Sequence, residues 1–248
     1  MAEPIYRDGR HYDRQQENYT KDIAFYLEQA KQFGQPILEL ACGTGRITIP
    51  IAQQGLEIVG IDQSESMLER AKQKSGSELP ITWRQGDIRS FVLKQKFKMI
   101  FLPFNSIAHL YDLKSVSDCF QCVRKHLDDD GRFLLDFFNP NLNFLTRDDD
   151  PPRFVSEYPD PDSDNIVVIT ETNRYDRATQ INHIHWHYQI GDNSFLEELN
   201  MRIFYPQELD ALLAYNGFTI ENKYGGFDMS PFTSDSEEQA FICKLAGN

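Results

Sequence analysis

Apolar and polar positions in this chain recur with two periods, one helical and one of strand type. Residues 22–33 place Ile23, Phe25, Tyr26, Leu27 and Ala30 at helical spacing, and Gly34 stops the run. Short apolar runs and helical stretches then alternate: strand 37–41, helix from 45 to about 54, strand 57–61, helix from 64 to about 74, strands 81–85 and 98–102, helix 115–127, strand 132–138. Gly55 and Gly131 sit where helix ends hand over to strands. This alternation predicts a parallel sheet with helices on both faces, whose ligand belongs at the carboxyl ends of the strands.

After Asn139 the texture changes. Residues 148–165 are rich in Asp and Pro and read as an exposed connection. Strands follow at 166–172, 181–190 and 195–205, separated by the turn-like stretches 175–178 and 191–193, so an antiparallel sheet is expected after the fifth core strand. Pro206 opens a helix through Tyr215 with Leu209, Leu212 and Leu213 inward, and strands 218–224 and 239–245 close the core sheet. The expected organisation is a lid and covering helix over 1–35, a core over 36–139 and 206–248, and an insertion over 140–205 that covers substrate or builds a dimer face.

The first strand carries the chemistry. Ile37-Leu38-Glu39-Leu40-Ala41-Cys42-Gly43-Thr44-Gly45-Arg46 ends in a glycine-rich turn that opens a helix. Glycines permit positive φ and close approach of backbone amides to a ligand, and a helix N-terminus adds its free N–H groups. The second strand ends in Asp62, placed to accept both hydroxyls of an adenosine ribose. Dinucleotides and S-adenosylmethionine are the two common cofactors of such a loop. A dinucleotide fingerprint wants a third glycine where Thr48 stands, and a pyrophosphate has no use for the acid Glu39 just before the loop. A carboxylate there suits the cationic amino-acid end of S-adenosylmethionine.

The string resembles motif I of class I S-adenosylmethionine-dependent methyltransferases, with Glu39 and Gly43-Thr44-Gly45 matching its acid and GxG, and Asp62 its ribose-binding acid. Gly86-Asp87-Ile88 resembles the motif whose Asp accepts from the adenine amino group, and residues 202–218 resemble the stretch leading into the family's final hairpin. The resemblance implies an α/β, Rossmann-like, seven-stranded and mostly parallel sheet with helices on both faces and an antiparallel β insertion after the fifth strand. It implies S-adenosyl-L-methionine as cofactor, held by Tyr19, Glu39, Ala41, Gly43, Gly45, Asp62, Gln63, Met67, Asp87, Ile88, Leu102 and Asn105.

Methyl transfer from a sulfonium is an in-line displacement, so such an enzyme mainly aligns a nucleophile and excludes water. A general base belongs near the loop after the fourth strand, where residues 101–109 lack the Asn/Asp-Pro-Pro-aromatic sequence of enzymes that methylate adenine or protein glutamine. His109 is the candidate base there, or else a satisfied structural histidine. Asn105 either orients the ligands or caps the following helix. Tyr6, His11, Tyr12, Asp13 and Tyr19 resemble the family's variable lid, with Tyr12 expected against substrate. His183, His185 and His187 alternate on one face of a strand, a poor metal geometry, and are read with His185 and Tyr205 toward a substrate cavity. Insertions of this sort resemble those of nucleotide-deoxysugar N-methyltransferases.

Composition narrows the partners. At 248 residues and a formal charge of −13, the chain is expected to bury a full core and to repel nucleic acid, with no basic patch to override the field. No apolar run has membrane length and the N-terminus is polar, so a cytoplasmic protein is expected, a monomer or homodimer. Cys119 and Cys122 form a CxxC on the face of a predicted helix that carries Val116, Phe120, Val123 and Leu127, and read as buried thiols. The expected activity is methyl transfer to N or O of a small molecule, with no metal. The alternatives are a cofactor-binding protein without turnover and a methyltransferase of protein or RNA.

Overall fold

The apolar runs of the first half become β1 (Ile37–Leu40), β2 (Ile58–Asp62), β3 (Ile81–Gln85), β4 (Phe97–Leu102) and β5 (Leu127–Phe138) in the computed structural model, which describes Tyr6, residues 8–147 and residues 151–247. With β10 (Phe218–Tyr224) and β11 (Glu238–Leu245) they form a seven-stranded sheet of order β10-β11-β5-β4-β1-β2-β3. The first five strands pair in parallel; β11 pairs antiparallel with β5 and with β10. The Rossmann-like expectation holds.

Because β1 and β4 are buried on both faces, their apolar residues are continuous rather than alternating. Leu38, Leu40, Ile100 and Leu102 face α5 (Leu113–His126) and α7 (Pro206–Tyr215), while Ile37, Met99 and Phe101 face α2 (Lys21–Phe33) and α3 (Thr48–Ala52). Cys119 and Cys122 lie buried on α5, as their spacing with Val116 and Val123 requires.

Three boundaries differ from expectation. The helix after the glycine loop begins only at Thr48, because residues 43–47 are spent in turns. Gly131 does not cap a helix: α5 stops at His126, and Gly131 lies inside β5, where a Cβ would stand 2.8 Å from the Phe97 carbonyl. The Asp/Pro-rich stretch contains a strand, β6 (Arg153–Pro159), which its composition concealed. β6 lies at a sheet edge, where a terminal proline costs no ladder bond.

β6 joins β7 (Ile166–Asp176), β8 (Ile181–Ile190) and β9 (Asn193–Arg202) in a second, wholly antiparallel sheet. One face carries the buried cluster of Tyr158, Val167, Ile169, Ile184, Trp186, Tyr188 and Leu199. A short helix α1 (Gly9–Gln15) approaches β6, with His11 Nδ1 3.1 Å from the Tyr158 hydroxyl. Two further helices complete the order, α4 (Glu65–Ser75) after β2 and α6 (Leu142–Leu145) after β5.

Candidate functional site

The carboxyl ends of β1, β2, β3 and β4 border one cleft of about 290 Å³, the scale of a small-molecule site. Glu39, Ala41, Gly43, Asp62, Gln63, Met67, Asp87 and Ile88 line it, together with Tyr12 and His109. Ten of the expected site residues thus meet.

The loop after β1 turns through positive φ at Ala41 (55°), Gly43 (54°) and Gly45 (79°). Gly43 faces the cleft. Gly45 does not; a Cβ there would stand 2.7 Å from Trp83 Cη2, so this glycine lets the loop close onto β3. The Gly43 N–H and the Ser64 N–H donate to the two oxygens of Asp62, each at 2.8 Å. Burial raises the Asp62 carboxyl and these amides oppose the shift. Ser64 caps α4, fixing the turn in which Asp62 stands.

Glu39 is 2% exposed and accepts from the Thr48 hydroxyl. Burial pushes its carboxyl up to about 8 against that hydrogen bond and the nearby Arg46 charge. Arg46, which the sequence reading passed over, lines the same part of the cleft. Its guanidinium grips the fully buried Asp22 by two hydrogen bonds of 2.6 and 2.7 Å and lies over the rings of Tyr19 and Phe104, 5.2 and 4.8 Å from their centroids. Its signal in the sequence was position alone, directly after the second glycine.

The segment after β4 turns back through two consecutive left-handed residues, Phe104 (φ 55°) and Asn105 (φ 58°). Asp136 on β5 holds them: both N–H groups donate to its carboxylate, at 2.9 and 3.2 Å, and so does the Tyr26 hydroxyl at 2.5 Å. This turn presents Phe104, Ser106 and His109 to the cleft. Across it, the Tyr6 hydroxyl lies 3.0 Å from His109 Nε2, and the Tyr6 carbonyl accepts from Ser64 and Ser66. Asp13 on α1 accepts from Thr44, Arg70 and Lys74 at 2.6 to 2.7 Å, fastening the lid to the glycine loop and α4.

Besides Gly45, five expected site residues lie off the cleft. Leu102 is wholly buried in the sheet core. Asn105 does not line the cleft and its side chain makes no capping bond to the turn that follows; its Oδ1 accepts from the Phe138 N–H at 2.7 Å. Tyr19 backs Arg46 instead of lining the cleft. Tyr205 precedes α7, its hydroxyl 3.5 Å from that of Tyr175. His185 shares with His183 and His187 the face of β8 opposite the buried cluster, with Nε2 3.8 Å from Glu198, and none of the three lines this cleft. Strand periodicity put them on one face; only the docking of the sheet decides which face is inward.

Residues 37–131 match the family described as "Methyltransferase domain". The putative methyltransferase YqeM of Bacillus subtilis (strain 168) is 29% identical over 214 residues, 83% of this chain and 82% of that protein. The dTDP-3-amino-3,4,6-trideoxy-alpha-D-glucopyranose N,N-dimethyltransferase of Streptomyces venezuelae is 29% identical over 113 residues, 45% of this chain and 46% of its own length. The structure of an S-adenosylmethionine-dependent methyltransferase from Clostridium acetobutylicum ATCC 824 superposes with a TM-score of 0.76 at 22% identity, over 93% of each chain. Fold, cleft and sequence matches together are those of a methyltransferase. S-adenosylmethionine, the cofactor named for the Clostridium structure, is also the one that the motifs of this sequence imply. Among the described residues no helix is long and apolar enough to cross a membrane.

Proposed function

We propose that the protein methylates the nitrogen of a small amine acceptor, with the cofactor laid along the cleft. The observation that carries the cofactor's placement is that Arg46 and Glu39, Asp62 and Asp87 line the cleft from the ends of the adjacent strands β1, β2 and β3 and the loops that follow them. A zwitterionic amino-acid end needs one cation and one anion side by side, and Arg46 and Glu39 supply them. Asp62 accepts from the ribose hydroxyls and Asp87 from the adenine amino group. The donor set fits the cofactor. When bound, S-adenosylmethionine supplies an electrophilic methyl group on its sulfonium.

The chain's own part is alignment, exclusion of water and proton handling. The lid through Tyr6 and Tyr12 closes the cleft from above, and its burial pushes the Tyr12 phenol up to about 12, so that it stays a neutral wall. His109, oriented by the Tyr6 hydroxyl, takes the proton that the acceptor nitrogen releases. An amine acceptor is supported by the likeness to the Streptomyces enzyme, which acts on a nucleotide-linked amino sugar.

Methyl-labelled S-adenosylmethionine incubated with nucleotide-linked amino sugars and their hydroxyl counterparts tests this reading. Label is expected on the amines; label on the hydroxyl series alone would contradict it. With an accepted amine, His109→Gln is expected to lower turnover about 10²-fold while leaving affinity for S-adenosylhomocysteine nearly intact. Full activity of the glutamine variant removes the base role.

A further inference from the structure

Arg89 has no part in the cofactor assignment above, yet it lines the cleft beside Asp87 and is hydrogen-bonded to it through both backbone and side chain. The Arg89 N–H donates to Asp87 Oδ1 at 2.8 Å, Nε to the same oxygen at 2.9 Å, and Nη2 to Oδ2 at 2.5 Å. Both carboxylate oxygens are therefore held in one plane by one side chain. These bonds also hold the Asp87 carboxyl below its ordinary range, which keeps it ionised and able only to accept.

The turn that carries the pair is itself anchored. The Ser90 N–H closes it onto the Asp87 carbonyl at 3.0 Å. From α5, the Cys122 thiol donates to the Arg89 carbonyl at 3.2 Å, and His126 Nε2 accepts from the Leu93 N–H at 3.0 Å. The His126 ring is fixed in turn by Nδ1, 2.7 Å from the Cys122 carbonyl, and by Phe91 at a centroid distance of 4.5 Å. Cys122 and His126 of α5 thus fasten Arg89 and Leu93 in the segment that follows Asp87.

We propose that Arg89 is the positioning residue that makes this cleft read the six-position of the purine, by clamping Asp87 as a fixed, acceptor-only carboxylate that selects a 6-amino over a 6-oxo base. This rests on the assignment of Asp87 to the adenine amino group. A free carboxylate would tolerate a 6-oxo purine in two ways: by swinging to accept from the N1–H that such a base carries, or by taking up a proton and donating to the 6-oxygen. The clamp closes both routes. What remains opposite a 6-oxo group is a carboxylate oxygen facing a carbonyl oxygen with no proton between them, and sites with a fixed hydrogen-bonding group discriminate strongly against a base that cannot complete the bond. A lysine at this position would keep the charge but lose the fork, since its ammonium is a point donor without a planar pair of N–H groups.

The test is calorimetric titration of the full chain with S-adenosylhomocysteine and with its deaminated counterpart, S-inosylhomocysteine. The wild-type protein is expected to prefer the adenosyl ligand by more than about tenfold, the scale of one charge-assisted hydrogen bond. Arg89→Met should lose most of that preference, chiefly by binding the inosyl ligand better, and Arg89→Lys should fall between. The Arg89 side chain is 45% exposed, so neither change empties the core, and a general loss of stability would weaken both ligands alike without moving their ratio. An Arg89→Met ratio equal to that of the wild type overturns the proposal, as does a wild type that binds both ligands equally. Failure of the wild type to bind either ligand would overturn the cofactor assignment itself, and this inference with it.

Discussion

Arg46→Met is expected to cost about 3–5 kcal/mol of stability, because it strips the partner from a carboxylate that is wholly buried. Asp22 was accommodated inside the protein as half of a bidentate pair, and methionine fills the space without neutralising the charge. For a chain of this length the loss corresponds to a fall in melting temperature on the order of 10 °C. Affinity for S-adenosylhomocysteine should fall as well, by roughly ten- to a hundredfold, the value of a charged hydrogen bond to the ligand carboxylate. The double variant Arg46→Met with Asp22→Leu separates the two effects. It removes the orphaned charge and should recover much of the melting temperature while leaving the affinity low. Recovery of both would mean that Arg46 serves the scaffold only.

Glu39 should make cofactor affinity depend on pH. In the free protein burial pushes its carboxyl up to about 8, so at pH 6 to 7 it is largely protonated. The charged groups around it are Arg46, which favours the ionised form, and Asp22 and Asp62, which oppose it; the Thr48 hydroxyl donates to it. An ammonium bound against Glu39 needs the carboxylate, so binding must expel the proton. Affinity for S-adenosylhomocysteine is therefore expected to rise by up to about tenfold per pH unit from 6 toward 8, and to level off above. Stability without ligand runs the opposite way. A carboxyl raised above its unfolded value contributes stability that is complete below the unfolded range and is lost as pH rises through about 8. Glu39→Gln should remove the pH slope of binding between 6 and 8, because that slope comes from the Glu39 carboxyl. Proton release is measured directly by titrating in buffers of different ionisation enthalpy. A flat profile in the wild type, or a slope that survives in the glutamine variant, contradicts this reading of Glu39.

Much of the core was legible because its signals are local. An apolar run that stops at a glycine turn, and an acid at the next strand end, are read within a few residues, and they placed Glu39, Gly43, Asp62 and Asp87 on one cleft. Helix α7 and strand β8 took the boundaries expected of them, Pro206 and the hairpin turns marking their ends. What escaped depends on packing between distant segments. Arg46 draws its meaning from Asp22 on another helix, and Phe104 from the Asp136 carboxylate that holds its turn. The histidines of β8 were placed on a common face by their alternation, yet the direction of that face is set by how the second sheet docks. Arg89 beside Asp87 was visible as a neighbour in sequence, but nothing short of the turn geometry shows that it folds back onto the carboxylate.

The central claim is that the Arg46 and Glu39 end of the cleft grips a zwitterionic amino-acid group while Asp62 and Asp87 hold the nucleoside. Calorimetric titration with S-adenosylhomocysteine and with 5′-methylthioadenosine, which keeps the nucleoside and lacks the amino-acid end, tests it in one comparison. The account predicts that removing the amino-acid end weakens binding by at least about a hundredfold, two charge-assisted contacts being lost together. Equal affinity for the two ligands would contradict it.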